Sequence, residues 1–208
     1  MKIYERLLRW GGNGAQPNQY GVQDKRNDIQ SNGVSPLALV GHNICVLPGS
    51  VVDDFSKIHN YAWIGRNCTV TRATIGHYAG LANNISVGPG EHDTRRIANT
   101  ALFTADPYSE LTKAPCHVGP DVWIGVDTVI RRGVSIGAGA VVGANSFVNK
   151  DVPPYAIVAG SPARHIRYRF TASQIDEIMK SEWWTFDLEQ ARKILEHLEK
   201  RLGIQPNE

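Results

Sequence analysis

With 208 residues, 22 basic against 20 acidic side chains and a formal net charge of +2, the chain has no block of like charge that would track a polyanion, and no nucleic-acid partner is expected. Its length suits one principal domain with a small appendage, and is enough to bury a core without disulfides or metals. The 3 cysteines form no CxxC pair and read as free thiols, no run approaches the ~20 apolar residues of a membrane span, and MKIYERLLRW lacks a signal-peptide core, so the expected location is the cytoplasm, with no membrane partner.

Residues 1–36 show no regular spacing. Ile3, Leu7, Leu8 and Trp10 suit a short helix from Lys2 to Trp10, and the turn-rich stretch GGNGAQPNQYGVQDKRNDIQSNG reads as an N-terminal cap segment. From Val40 onward a period takes over. Aliphatic residues recur at every sixth position at Val40, Val46, Val52, Ile58, Ile64 and Val70, then at Ile75, Leu81 and Val87, and again at Val118, Ile124, Ile130, Ile136, Val142 and Val148. Glycine follows that position at Gly41, Gly65, Gly76, Gly88, Gly119, Gly125, Gly137 and Gly143, where it would weaken an ordinary strand but suits a repeated corner. Six-residue units cannot bury an apolar face alone. They become stable by stacking, which predicts a mainly β solenoid over 37–170, three units closing one coil.

The period breaks in two places. Val70 to Ile75 is short by one residue, an adjustment that a corner can absorb. Between Val87 and Val118 the repeat stops, and GPGEHDTRRIANTALFTADPYSELTKAPCH is too long for a plain connection. Its aromatics Phe103 and Tyr108 and its turn former Pro107 predict an ordered functional loop over 89–117. After GSPAR the pattern becomes helical over 171–208. Thr171 and Gln174 form a capping box, a second helix starts at Asp187 with Gln190 three residues on, and Gly203 stops it. The pair Trp183 and Trp184 reads as packing between the helices.

The segments IGHYAGLANNISVGPG, GEHD, DVWIG, VNKDVPPYAIVAGSPAR and WWTF, in this order over about residues 60–190, resemble the hexapeptide-repeat acyltransferases, and within them the xenobiotic acetyltransferase group, which includes streptogramin and chloramphenicol acetylating enzymes and relatives acting on sugars of surface polysaccharides. The resemblance implies a left-handed parallel β-helix, acetyl-CoA as acyl donor, a homotrimer with sites between adjacent prisms, and transfer to a hydroxyl of a small molecule or sugar. Such chemistry needs a base for the acceptor proton. Of 7 histidines, His42, His59 and His77 fall on coils and His197 on a helix, whereas His92 lies where the loop leaves the repeat, and the resemblance gives it the role of general base. The group usually has asparagine before that histidine; here stands Glu91. Glu91 and Asp93 are candidates to bind the acceptor or to orient the imidazole, and a solvated carboxylate is an equally physical reading of each.

For the carrier, Ala138, Ala140, Gly143 and Ala144 are small enough to let a pantetheine arm lie flat, although small residues also relieve crowding at corners. By resemblance Trp123 falls near the thioester end, a structural corner aromatic being the other reading, Lys150 and Arg164 fall near the CoA phosphates, and Val126 and Asn149, the latter in place of the usual threonine, are further carrier-binding candidates. Other readings of the same solenoid are a sugar N-acyltransferase, a serine or maltose acetyltransferase, a non-catalytic scaffold, and a γ-type carbonic anhydrase. The last needs histidines five residues apart, and there is no His-x4-His, so no metal is expected.

Overall fold

The computed structural model describes residues 26–205; the helix expected from Lys2 to Trp10 lies outside them. The chain winds as a parallel β-helix whose strands stack into three faces. Face A holds β1 (Asp28–Ile29), β3 (Cys45–Val46), β6 (Trp63–Ile64), β9 (Gly80–Leu81), β12 (Trp123–Ile124), β15 (Val141–Val142) and β17 (Ala156–Ala159), with β18 (Arg164–Tyr168) added antiparallel at the end. Face B holds β2 (Gly33–Val34), β4 (Val51–Val52), β7 (Thr69–Val70), β10 (Ser86–Val87), β13 (Val129–Ile130) and β16 (Phe147–Val148). Face C holds β5 (Lys57–Ile58), β8 (Ala73–Ile75), β11 (Cys116–Val118) and β14 (Ser135–Ile136).

The aliphatic residue of each unit points inward, and from Val46 to Val148 every one of the expected positions is buried. Val40 is the exception, 52% exposed. The first coil begins at Asp28, inside the segment expected to be a cap, and it advances in steps of five through Ile29, Val34 and Leu39, all three packed on the core. Leu39 rather than Val40 bridges to Ile58. A second inward residue turns the corners between faces C and A, small at Ala62, Ala79 and Ala140. Outside it, backbone in the left-handed region recurs from coil to coil. Asn67, Asn84, Asp127 and Asn145 stack in this way between faces A and B, and Asn84 donates to Asp127 at 2.8 Å. Asparagine and aspartate tolerate that conformation because their short polar side chains bond locally. The corner shortened at Val70 to Ile75 is closed by Arg72, itself left-handed at φ 42°.

The C-terminal segment covers the corner between faces C and A. The Thr171 capping box starts α2 (Ala172–Ser181), Asp187 caps α3 (Leu188–Leu202), and Gly203 ends it at φ 65°. Ile178, Trp183 and Ala191 pack with Tyr155. The Tyr78 hydroxyl donates to the Phe186 carbonyl at 2.8 Å. Trp183 is thus a packing residue. No described helix is long and apolar enough to cross a membrane.

The histidines of the early coils form a column. His59 and His77 have ring centroids 4.9 Å apart, and His77 Nδ1 is enclosed without a partner among the described residues. Burial depresses the basicity of both, helped at His59 by Lys57 and at His77 by His59 and His42. The unfolded chain, with imidazoles at their ordinary value of 6.5, therefore binds more protons than the folded one as the pH falls through that value. Their contribution to stability is present above about pH 6.5 and is lost below it. Melting temperature should fall on acidification from pH 7 to pH 5, and His77→Gln should flatten that fall; an equally steep fall in the variant would clear this column of responsibility.

Candidate active site

The long loop leaves the prism at Gly88 in the fourth coil, at the corner between faces B and C, and returns at Cys116. Arginines from neighbouring coils tie it down. Arg132, 9% exposed, donates from Nη1 to the carbonyl of Thr71 at 2.9 Å and to that of Ala114 at 3.3 Å, so it bridges the third coil and the returning limb. The outgoing limb passes over its guanidinium at Gly88, where φ is 64° and a Cβ would lie 3.0 Å from the guanidinium carbon. Burial lowers the basicity of Arg132, a desolvation cost accepted for this tie.

Further out, the helix α1 (Pro107–Leu111), capped by Asp106, lies along the second and third coils. The Arg72 guanidinium stacks on the rings of Phe55 and Tyr108, 4.7 and 5.1 Å from their centroids. The Tyr108 hydroxyl donates to Asp53, which also accepts from the backbone N–H of Arg72 at 2.8 Å. Burial alone would push the Asp53 carboxyl up, but hydrogen bonds from Ser56, Tyr108 and Arg72 outweigh it and hold it ionised.

His92 stands on the outgoing limb, exposed, with no hydrogen-bond partner among the described residues. Its neighbours are engaged. Glu91 pairs with Arg131 of the fifth coil at 2.6 and 2.9 Å, and hydrogen bonding from that guanidinium lowers its carboxyl below the usual range. Asp93 forms a fork with Arg95 at 2.8 and 3.0 Å and accepts from the Arg95 backbone N–H at 3.1 Å, which closes a turn just beyond the imidazole.

The residues expected to hold the carrier fall on several parts of the prism. Trp123, 54% exposed, lies on the outside of face A, leaning over Gly80. Val126 and Ala144 stack one coil apart on the corner between faces A and B, where Asn145 donates to the Val126 carbonyl. Arg164 opens β18 at the end of face A. Asn149 and Lys150 sit instead on the loop corner, one coil beyond Arg131 and Arg132, with Asn149 Oδ1 enclosed and unpaired among the described residues. Ala138 is set apart from the other candidates. It is 6% exposed, on the third corner beneath the Tyr155 segment, whose Tyr155 N–H donates to its carbonyl at 2.8 Å.

Arg72, Arg131 and Arg132 escaped the sequence reading, because a charged residue at a solenoid corner reads as solvated. One signal was available: IRRG puts two arginines at a corner of an otherwise regular repeat.

The chain matches the family described as bacterial transferase hexapeptide (six repeats) over residues 115–150. It is 48% identical over 75 residues to the chloramphenicol acetyltransferase of Klebsiella aerogenes, covering 36% of each chain. It is 35% identical over 144 residues to the galactoside O-acetyltransferase of Escherichia coli K12, covering 63% of this chain and 64% of the relative. The chain therefore matches less than two thirds of the length of either. In fold it is similar to a mutant of AntD, an N-acyltransferase from Bacillus cereus in complex with dTDP-4-amino-4,6-dideoxyglucose and coenzyme A, with TM-score 0.58 and 20% identity over 86% of this chain and 96% of that one. Over residues 115–150 the chain thus carries the hexapeptide repeat of bacterial transferases, and the relatives it resembles are acetyltransferases.

Proposed function

We propose that the chain is an acetyl-CoA-dependent O-acetyltransferase acting on a hydroxyl of a sugar or an antibiotic-like small molecule, with His92 as general base. The observation that carries this reading is an exposed, unpaired imidazole on a loop that arginines fasten to a rigid prism. His92 takes the proton of the acceptor hydroxyl as its oxygen attacks the thioester carbonyl. The tetrahedral intermediate then expels the CoA sulfur, which takes up that proton. The names of the relatives, a chloramphenicol and a galactoside O-acetyltransferase, favour oxygen acceptors; transfer to an amino sugar is the second reading, favoured by the likeness to AntD.

Acetyl-CoA is the donor. Trp123 and Val126 suit its thioester end and Ala144 its pantetheine, Asn149 offers an unpaired acceptor to a pantetheine amide, and Lys150 and Arg164 offer charge to its phosphates. Glu91 and Asp93 flank the base on the acceptor side, each already engaged by an arginine. Val126 and Ala144 lie across face B from the loop corner and Trp123 beyond them on face A, which suits a homotrimer in which one chain lends His92 and its neighbour lends that part of the groove. The exposed Ile97, Leu102 and Phe103 give the loop an apolar end to lay on such a neighbour.

Thiol release from acetyl-CoA, followed with chloramphenicol, galactosides, nucleotide sugars and amino sugars as acceptors, tests this function. Turnover with hydroxyl acceptors and little with amines is the expected result. Turnover confined to amines would select the second reading, and absence of acetyl-CoA binding in calorimetry would leave a scaffold.

A further inference from the structure

The group that sets the position of His92 lies outside the loop. We propose that Arg131, acting through Glu91, is a positioning residue for His92; the inference rests on the base role given to His92 above. Two ion pairs flank the imidazole in sequence. The Asp93–Arg95 pair is internal to the loop and travels with it. The Glu91–Arg131 pair reaches the prism.

Arg131 is held at the backbone by its own coil and by the coils on either side. Its N–H donates to the Val148 carbonyl at 2.9 Å, and its carbonyl accepts from the Val134 N–H and the Cys116 thiol, both at 3.2 Å. Glu91 is gripped twice. Its N–H donates to the Leu111 carbonyl at 2.9 Å, joining the two limbs of the loop, while both carboxylate oxygens meet the guanidinium fork. A two-point contact between planar groups fixes orientation as well as distance, which a single ammonium contact does not. The residue before the base is thereby referenced to the fifth coil, the coil that also carries Trp123 and Val126. A base displaced by about 1 Å loses rate without any loss of carrier binding.

Both side chains are substantially exposed, so breaking the pair should barely alter stability. The test compares Glu91→Gln, Arg131→Lys, the exchange Glu91→Arg with Arg131→Glu, and His92→Ala, using acetyl-CoA and whichever of chloramphenicol or a galactoside the wild type acetylates. Each single variant is expected to lower kcat about tenfold or more, with KM for acetyl-CoA and the melting temperature unchanged, and the exchange to recover part of the loss. Full kcat in the single variants, alongside a dead His92→Ala, would overturn the positioning role and leave the base standing. Unchanged turnover in His92→Ala would remove the base itself. A second readout needs no acceptor: trypsin cleavage after Arg95 and Arg96 in the folded protein should accelerate about tenfold in Glu91→Gln, and an unchanged rate would refute the tie to the prism.

Discussion

His92→Ala is expected to cut acetyl transfer by at least about a hundredfold while leaving the melting temperature and the affinity for acetyl-CoA where they are. The two halves of this expectation have separate causes. The imidazole is exposed and has no partner among the described residues, so its removal opens no cavity and orphans no buried group, the mechanisms through which single substitutions cause large losses of stability. The acceptor hydroxyl, in contrast, has an intrinsic acidity far too low to lose its proton at neutral pH without help. Removal of a general base costs ~10²–10⁴ in rate, about 3–5 kcal/mol of barrier, and what remains comes from holding donor and acceptor together. Steady-state kinetics with calorimetry of acetyl-CoA binding separates the outcomes. A loss of turnover matched by a loss of acetyl-CoA affinity would mean that His92 serves the carrier instead, and full turnover would remove it from the chemistry.

The interior of the prism was legible because stacking repeats the same demand at every level. Each coil must offer an inward aliphatic residue in the same register, so Ile64, Leu81, Ile124 and Val142 announce one another along face A. The first coil escaped because Ile29, Val34 and Leu39 are spaced by five. The helix caps at Thr171 and Asp187 were legible for a different reason: capping is a local exchange between residues three apart. What makes the site rigid is neither periodic nor local. Arg131 meets Glu91 from 40 positions away, and Arg132 meets the Thr71 carbonyl from 61. One exists because the loop folds back onto the prism and the other because two coils meet across the corner where the loop leaves, and nothing in the composition of IRRG distinguishes them from solvated corner charges. The small residues were ambiguous for a third reason: a tight corner and a ligand groove make the same request for missing side-chain atoms.

That ambiguity has an experimental answer at Gly139. The residue sits between Ala138 and Ala140, in a stretch whose small side chains suit a pantetheine groove as well as they suit crowding, and its neighbours decide for crowding. Its φ is 66°, and an added Cβ would lie 2.4 Å from Cε1 of Tyr155. Tyr155 has little room to retreat, being 2% exposed, with Phe170 against its ring and the Arg169 guanidinium 5.2 Å from its centroid. Arg169 also donates to the Gly139 carbonyl at 2.6 Å, so the corner, the ring and the cation would have to move together. Gly139→Ala should therefore suffer both a left-handed backbone cost of ~1–2 kcal/mol and an overpacking cost of ~1–3 kcal/mol, a sum of about 3 kcal/mol and on the order of 10 °C in melting temperature for a chain of this size. Gly203→Ala isolates the first term, since its φ is 65° and nothing lies within 4 Å of its added Cβ; that variant should lose only ~1–2 kcal/mol. The loop is anchored at a different corner, so well below its melting temperature Gly139→Ala should keep the wild-type KM for acetyl-CoA. A raised KM with an unchanged melting temperature would return this stretch to the carrier groove, whereas the opposite pattern assigns it to the seam on which the C-terminal helices dock.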